Sequence, residues 1–555
     1  MSAAVARAAG SPGARSREAG AKGSRSRAAA HSHGHEAEAA WKPGHNPWAI
    51  AVVVTLAAFM EILDTTIVNV ALPHIAGSLS SSNDEATWAL TSYLVANGIV
   101  LTISGWLSSV IGRKRYFIIC ISMFTVCSFL CGIADSLPQL VAFRLLQGFF
   151  GGGMQPSQQA IILDTFPPEK RGAAFGVTAI ATIVAPVLGP TLGGLITDTY
   201  NWRWIFFANL PVGLITVFFV SVLVEDPPSA KRMSRRIDVI GLALITLGLG
   251  CLQVMMDRGE DEDWFSSSFI QVMAGLAIFG IIGAIVWLKV AKHPIVNLDV
   301  FKDKNFAMGC VCISAVGATL YAGAVVIPQF AQTVINYNAT WSGLILSPGG
   351  IAIILLIPII GVAMRFVQTR LIIAAGFFVM GAAFFYSSRL TPNIDFFTLV
   401  TMRAAQTAGL AFLFVPISTI AYITLPRRLN GDATALFTMF RNVFGSVGIS
   451  LATAMITERT QAHQAQLSKW ATPFHQPYNE LVASYQRTLV GMGHAAGAAH
   501  DLAVGMVYQA FRVQAQILAY SDVFLYVGVV AFCVVPFCFF LTNKKAGGGP
   551  AAAVH

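Results

Sequence analysis

Two acidic residues lie deep inside an apolar stretch of the sequence, where packing alone does not explain them. Glu61 and Asp64 are three positions apart, so a helix places both carboxyl groups on one face. A charged carboxylate at the centre of a bilayer costs about 2.5 to 3.5 kcal/mol on insertion scales, and carboxyls found there mark proton pathways. We therefore predict that both residues carry protons. A passive position beside an aqueous vestibule is the alternative for Glu61.

Three arginines also lie inside apolar stretches, and each needs a partner because a buried guanidinium keeps its proton. Arg144 is the predicted partner of the two acids, pairing with a carboxyl in one conformation only, unless it is a fixed structural tie. Arg403 and Arg441 either face a polar or anionic ligand or brace neighbouring helices. The predicted substrate contacts are polar residues inside apolar stretches: Asn69, Gln147, Gln155, Arg403, Gln406 and Arg441.

One stretch rich in proline and glycine predicts a hinge. Residues 185–194 combine prolines, which weaken the helical hydrogen-bond ladder, with small residues, which allow close contact between helices. Small-residue packing alone is common in membrane helices, so this pattern by itself is weak evidence. The predicted hinge residues are Pro186, Gly189, Pro190, Gly193 and Gly194.

The composition of the chain indicates that these residues are positioned by membrane-spanning helices. Of the 555 residues, 55% are hydrophobic and only 11% are charged, whereas soluble chains carry roughly 25% charged residues. Fourteen apolar stretches are long enough to cross a hydrocarbon layer about 30 Å thick. They lie near 49–71, 86–107, 116–134, 138–163, 172–197, 204–224, 238–256, 268–290, 306–334, 341–364, 371–388, 396–425, 433–456 and 519–542.

The distribution of positive charge predicts the orientation. On the fourteen-span reading, seven of the 36 Lys and Arg lie in the amino-terminal tail and nineteen in the alternate loops and carboxyl terminus on the same side. Seven lie on the opposite side and three within spans. Because cytoplasmic loops are enriched in Lys and Arg, both termini are predicted to be cytoplasmic. The net charge of +9 is thereby explained without a nucleic-acid partner.

A weak internal repeat predicts two similar halves. Arg144, Gln147, Gly148 and Pro156 in the fourth span are echoed in the twelfth by Arg403, Gln406, Thr407, Gly409 and Pro416. The predicted divisions are a disordered basic tail at 1–45, a six-helix bundle at 46–228, a linker with two inserted helices at 229–303, a second six-helix bundle at 304–545 and a tail at 546–555.

Other site classes have little support in the sequence. All eight cysteines fall in apolar stretches, which is typical of packing residues rather than of a disulfide framework or zinc site. The cluster of His31, His33 and His35 is more typical of an incidental feature of a tail than of a metal site, and the short sequon at 338–340 occurs often by chance. The sequence contains no Gly-Lys-Ser/Thr phosphate-binding motif of the kind that would indicate ATP hydrolysis.

Four segments of the sequence contain extended motifs: LDTTIVNVALP at 63–73, RLLQG at 144–148, GPTLGG at 189–194 and WRWIFFANLPVG at 202–213. They resemble motifs of the major facilitator superfamily, and in particular of its fourteen-helix drug:proton antiporters of the EmrB/QacA type. The residues around 257–267 resemble the EmrB branch. Two positions depart from the family pattern: Ser109 stands where many members carry aspartate, and Ala185 replaces a glycine.

The resemblance implies a fold and an activity. The fold is all-α and integral to the membrane, the major facilitator fold with two six-helix bundles, two inserted helices and fourteen transmembrane helices. The implied activity is proton-coupled efflux of lipophilic toxic compounds across the bacterial inner membrane, driven by the proton motive force without a cofactor. The implied assembly includes an EmrA-like periplasmic adaptor and a TolC-like outer-membrane channel.

A membrane-embedded enzyme and an exporter of a single metabolite are the alternatives to proton-coupled multidrug efflux. A membrane-embedded enzyme would need clustered catalytic groups at membrane depth, and all eleven histidines lie in the tail, loops or span ends. An exporter of one metabolite or siderophore would have the same fold. The long hydrophilic segment at 458–518 predicts short amphipathic helices outside the membrane that dock on an adaptor or on the rim of the bundle, with a loosely ordered cap as the alternative.

Overall fold

A computed structural model of the chain describes residues 44–226, 238–426 and 429–542. The predicted tail with its histidine cluster, most of the basic linker, the pair Arg427-Arg428 and the carboxyl-terminal tail lie outside these ranges. All regular elements within them are helical, and two short 3-10 helices accompany the α-helices. The α-helices, numbered in chain order, are α1 Pro47–Ser78, α2 Asn83–Ala86, α3 Trp88–Ile111, α4 Arg113–Gly132, α5 Leu137–Gly151, α6 Met154–Thr165, α7 Pro168–Thr199, α8 Arg203–Phe207, α9 Asn209–Leu223, α10 Val239–Arg258, α11 Ser268–Val290, α12 Lys304–Thr333, α13 Ala339–Phe366, α14 Thr369–Ser387, α15 Phe396–Tyr422, α16 Asn430–Ser468, α17 Gln476–Gly491 and α18 Ala496–Cys538.

Most of the predicted spans appear as single long helices. Within the described ranges, 12 helical segments are long and apolar enough to cross a membrane, or 13 if the bent α7 is counted as one span. The predicted fourth span is divided into α5 and α6, of 15 and 12 residues, and neither half is long enough alone. The break falls at Gly152 and Gly153, where low helix propensity coincides with close contact to neighbouring helices.

Local capping explains where several helices begin. The Asn46 side chain accepts a hydrogen bond from the Trp48 amide, and Pro47 follows at a position where proline costs no hydrogen bond. Asp303 caps α12 in the same way, and Asn338, the asparagine of the short sequon, caps α13. These short polar residues therefore set the ends of the spans.

Both ends of the described chain lie at one end of the bundle. His45 lies 3.4 Å from Glu225, and the Lys114 amide donates to Asp226 over 2.8 Å. At the other terminus, the Thr542 amide donates to Asn305 over 2.9 Å. The two groups share one end of the bundle because the ends of α3 and α16 touch there, with Gly105 against the backbone of Gly431.

The inserted pair, α10 and α11, packs beside the junction of the two halves. Gly248 and Gly280 let the backbones of α10 and α11 approach closely. The Gln253 side chain then donates to Ser446 of α16 over 3.0 Å, while α10 also contacts α3. α10 therefore touches both halves.

The segment at 458–518 differs from its prediction. α16 continues to Ser468 and α18 already begins at Ala496, so only α17 is a separate short helix there. The reason is that the sequence just after 456 contains no glycine or proline to end α16, and the residues before 519 keep an apolar face. α17 packs on α18 through Val482, Ala503 and Val507. A cavity of about 420 Å³ lies between these helices and the extension of α16.

Candidate functional site

Asp64 lies at the centre of a buried polar network inside the first half, in which Arg144 Nη2 alone of the arginine's nitrogens has no hydrogen-bond partner. Its Oδ2 accepts a hydrogen bond from Arg144 Nη1 over 2.6 Å, in an ion pair whose two side chains are fully buried. Its Oδ1 accepts from Gln147 over 3.1 Å and from Asn209 over 2.7 Å. Two helices, α5 and α9, therefore supply the donors that bind this carboxylate of α1.

Arg144 is held from several sides. Besides Asp64, it donates from Nε to the Ala89 carbonyl over 3.2 Å and from Nη1 to Gln147 over 2.9 Å. Its Cζ lies 4.1 Å from the centre of the Tyr93 ring, where the face of an aromatic ring attracts a cation. The positive charge thus has an anion, two neutral acceptors and a ring around it.

Glu61 belongs to a second network, which crosses to the other half of the bundle. Its Oε1 accepts from Asn97 over 2.9 Å and from the Tyr93 hydroxyl over 3.4 Å, and its Oε2 accepts from the Gln155 amide. The Gln155 carbonyl oxygen in turn accepts from Arg441 of α16. A chain of buried side chains therefore connects the carboxyl of α1 through α6 to the second half.

The predicted hinge residues of α7 lie against the turn of α1 that follows Asp64. A Cβ atom at Gly189 would lie 2.7 Å from Thr66 Cβ, and one at Gly193 would lie 2.8 Å from the Ile67 carbonyl oxygen, so neither position has room for a side chain. The segments Glu169–Pro186 and Leu188–Thr199 of α7 meet at 44°. Because Pro190 and Pro186 interrupt the hydrogen-bond ladder near that angle, the bend has a local cause.

Arg403, the counterpart of Arg144 in the repeat, is as deeply buried but is poorly paired. It is 1% exposed, and its best contact is a 3.4 Å hydrogen bond from Nη1 to Gln406 Oε1. Its Nε and Nη2 have no hydrogen-bond partner. Among the residues that the structure describes, no carboxylate pairs with it.

The structure thus groups the predicted site residues into three clusters. Gln147 joins Asp64 and Arg144, Gln155 and Arg441 join Glu61, and Gln406 joins Arg403. Asn69 belongs to none of these clusters, because it is exposed on α1 one turn beyond Asp64. In the described ranges, no three His, Cys, Asp or Glu side chains converge where a metal ion could bind.

Sequence reasoning missed four polar residues of the first two networks. Tyr93 and Asn97 of α3 contact Glu61, and Asn209 and Ser128 extend the network of Asp64. Asn209 lies inside the WRWIFFANLPVG segment, so a polar residue within that apolar motif was an available signal. The α3 pair lies four positions apart on one helical face and offered the same kind of signal.

Comparisons with known proteins identify the family. The model of the Major Facilitator Superfamily matches residues 54–449. The chain belongs to this superfamily. It is 37% identical to the multidrug export protein EmrB of Haemophilus influenzae over 490 residues, which cover 87% of this chain and 95% of that protein.

Two further similarities place the chain within the superfamily. It is 32% identical to the fatty acid resistance protein FarB of Neisseria gonorrhoeae, over 89% of this chain and 96% of FarB. The crystal structure of XylE with two tryptophan substitutions superposes with a TM-score of 0.56 over 90% of this chain and 96% of XylE, at 12% identity. The likeness to XylE shows the major facilitator fold alone. The chain is therefore a multi-pass membrane protein of a transporter family.

Proposed function

We propose that this chain is a proton-coupled multidrug exporter, which exchanges inward-moving protons for lipophilic toxic compounds. The observation that carries the proposal is the pair of buried carboxyls on α1, one paired with Arg144 and the other linked through Gln155 to Arg441. Titratable groups at membrane depth have a functional role as a rule, because their burial is costly. The similarity to a protein named for multidrug export supports the choice of substrates.

Protonation of Asp64 would change the first network directly. A neutral carboxyl no longer compensates the charge of Arg144, so the ion pair across α1 and α5 weakens. The arginine keeps its own charge and must then find other acceptors, such as the Ala89 carbonyl that it already contacts. Proton arrival at Asp64 therefore favours a different arrangement of α1 and α5.

Protonation of Glu61 would act on the link between the halves. The neutral carboxyl is a weaker acceptor for the Gln155 amide, and the same amide group holds Arg441. Loss of the charge at Glu61 therefore loosens the connection of α6 to α16. A transporter that alternates between inward and outward access needs such a connection to respond to the proton.

The α7 hinge offers a way to transmit these changes. Gly189 and Gly193 hold α7 against Thr66 and Ile67, directly after Asp64 on α1. α7 also packs against α13 of the second half. A rearrangement of α1 would therefore move α7 and, through it, the contact between the halves.

The substrates and their exit route are part of the same proposal. The chain lies in the bacterial inner membrane with both termini cytoplasmic, as the excess of Lys and Arg on that side favours. The hairpin of α17 and α18, together with the extension of α16, is then periplasmic. Its cavity of about 420 Å³, lined partly by Tyr478, Val507 and Phe511, suits an apolar side chain of an EmrA-like adaptor that leads to a TolC-like channel.

A second candidate is an exporter of one class of metabolite or siderophore with the same coupling. The similarity to a protein named for fatty acid resistance favours an amphipathic acid among such substrates. The fold alone does not separate this candidate from multidrug export.

Uptake driven by a pH gradient in proteoliposomes tests both candidates. Vesicles that contain the purified chain are given a pH gradient, acidic on the side that faces the periplasm, and the uptake of several lipophilic dyes and of one fatty acid is followed. Multidrug export predicts gradient-driven transport of dyes with unrelated structures, which a protonophore abolishes. Transport of the fatty acid but of no dye would favour the exporter of one metabolite class over the multidrug exporter. Transport of neither the dyes nor the fatty acid would contradict both candidates.

A further inference from the structure

Arg403 is a buried cation whose surroundings in the protein do not neutralise it. Only Nη1 has a hydrogen bond, to Gln406 over 3.4 Å, which is long for a bond from a charged donor. Nε and Nη2 are buried and have no partner among the described residues. A guanidinium without an anion at membrane depth is strongly unfavourable, and arginine does not escape this by losing its proton.

The first half shows what a neutralised arginine looks like in the same position. Arg403 and Gln406 lie 259 positions after Arg144 and Gln147, and the residue 259 positions after Asp64 is Gly323. This register also holds in space: a Cβ atom at Gly323 would lie 2.9 Å from Arg403 Nη1 and 3.3 Å from Gln406 Oε1. The second half therefore keeps the arginine and glutamine but has glycine where the first half has the carboxylate.

We propose that the missing carboxylate is supplied by the substrate: Arg403 binds the anionic head of a lipophilic carboxylate during transport. Arginine suits this role because its planar group presents paired donors that match a carboxylate. Gln406, held by Ser387 over 2.9 Å, is positioned to add a donor or acceptor beside it. The inference rests on the proposed export function, because it assigns a substrate class to one arginine of that transporter.

The neighbours of Arg403 suit an apolar body attached to that head. The Phe384 ring lies next to Gly323, and the Phe384 and Phe524 rings are 6.3 Å apart. Phe384, Phe524 and Leu320 are all buried in the second half. One cation among apolar side chains matches the chemistry of an aromatic or aliphatic monocarboxylate, and not that of a lipophilic cation.

Binding of a matched pair of ligands tests the proposal without requiring transport. The full chain in lipid nanodiscs is titrated calorimetrically with 4-tert-butylbenzoate and with the neutral 4-tert-butylbenzamide, which has nearly the same shape. We expect the benzoate to bind about tenfold more tightly, as one hydrogen-bonded charge pair allows. Arg403→Gln should remove this preference, whereas Arg365→Gln, which removes an exposed arginine of α13, should keep it.

A pair of substitutions at Gly323 isolates charge from volume. Gly323→Asp places a carboxylate beside Arg403 and should abolish the benzoate preference, whereas the nearly isosteric Gly323→Asn should retain it. The proposal is overturned if the wild type shows no preference, if Arg403→Gln leaves the preference intact, or if both Gly323 variants lose it equally. Should the Gly323 variants fail to fold, the comparison of Arg403→Gln with Arg365→Gln decides alone.

Failure of the proposed anion site can be distinguished from failure of the proposed export function. Uptake of the lipophilic cation tetraphenylphosphonium into proteoliposomes reports proton-coupled export, whereas calorimetry reports the anion site. Benzoate preference without gradient-driven uptake would retain the site and reject the transporter cycle. Gradient-driven uptake without benzoate preference would retain the proposed export function and reject the anion site at Arg403.

Discussion

The two halves of the bundle use the same arginine and glutamine in different ways. In the first half, the Asp64 carboxylate neutralises Arg144 and also accepts hydrogen bonds from Gln147 and Asn209. In the second, Gly323 leaves Arg403 with a single long hydrogen bond. The difference teaches that a repeated pair of residues does not imply a repeated role. In our proposals, the first copy responds to a proton, and the second leaves its positive charge for a ligand.

The removal of the acid from the first half should have the largest effect. We expect Asp64→Asn to lower gradient-driven transport by about 100-fold or more, because the amide cannot exchange a proton. Uptake of tetraphenylphosphonium into proteoliposomes measures this, with Asp299→Asn at an exposed position as the control. Equal transport by Asp64→Asn and wild type would remove the distinction between the halves.

The replacement of each arginine by lysine sharpens the comparison. Arg144→Lys should lower transport of all substrates by about tenfold or more, because lysine lacks the planar group that contacts Asp64, Gln147 and Ala89 together. Arg403→Lys should instead lower benzoate exchange more than tetraphenylphosphonium exchange. If each variant lost transport of benzoate and of tetraphenylphosphonium to the same extent, separate roles for Arg144 and Arg403 would be contradicted.

The second acid should have a smaller effect on rate and a clearer effect on pH dependence. Glu61→Gln keeps the size of the side chain but cannot change its charge, so the link to Gln155 no longer responds to protonation. We expect transport to fall less than in Asp64→Asn and its rate to vary less with pH. Rates measured from pH 6 to pH 8 would check this, and an unchanged profile would show that Glu61 is passive.

Close packing at the hinge should affect stability as well as transport. Gly193→Ala brings a methyl group against the Ile67 carbonyl, and overpacking of this kind costs about 1 to 3 kcal/mol. Gly361→Ala adds the same group in open space on α13 and serves as the control. Thermal unfolding in detergent should show a lower midpoint for Gly193→Ala only. Equal midpoints would contradict a packed α1–α7 contact.

The smallest effect on the purified transporter should come from the external hairpin. Replacement of residues 470–495, which include α17, by a short Gly/Ser linker leaves both halves and both networks intact. We expect nearly wild-type uptake in proteoliposomes but loss of drug resistance in whole cells and of adaptor binding in a pull-down. Full adaptor binding by the shortened chain would exclude docking at this hairpin.

The sequence predicted the helices well because each span is a long apolar run. Hydropathy alone located α1, α3 and α12, since a bilayer requires about 20 consecutive apolar residues. It did not predict the break between α5 and α6, which depends on close contact with neighbouring helices at Gly152 and Gly153. It also ended α16 too early, since polar residues continue a helix readily outside a membrane.

The sequence predicted some of the buried polar contacts. The rarity of acids and arginines at membrane depth drew attention to Asp64, Glu61 and Arg144, and the structure places Asp64 and Arg144 in contact. Their roles in coupling stay predictions. The partners on other helices, such as Asn97 and Asn209, were missed because polar amides are individually unremarkable in a sequence. The isolation of Arg403 was also missed, because it depends on what stands opposite the side chain, and glycine at 323 carries no signal of its own.

The most direct test of the central claim is the release of protons when substrate binds. Purified protein in weakly buffered solution is mixed with saturating tetraphenylphosphonium, and a pH indicator records the protons released per chain. The wild type should release protons, and the double variant Asp64→Asn with Glu61→Gln should release none while still binding the substrate. Undiminished proton release from the double variant would contradict the assignment of coupling to the carboxyls of α1.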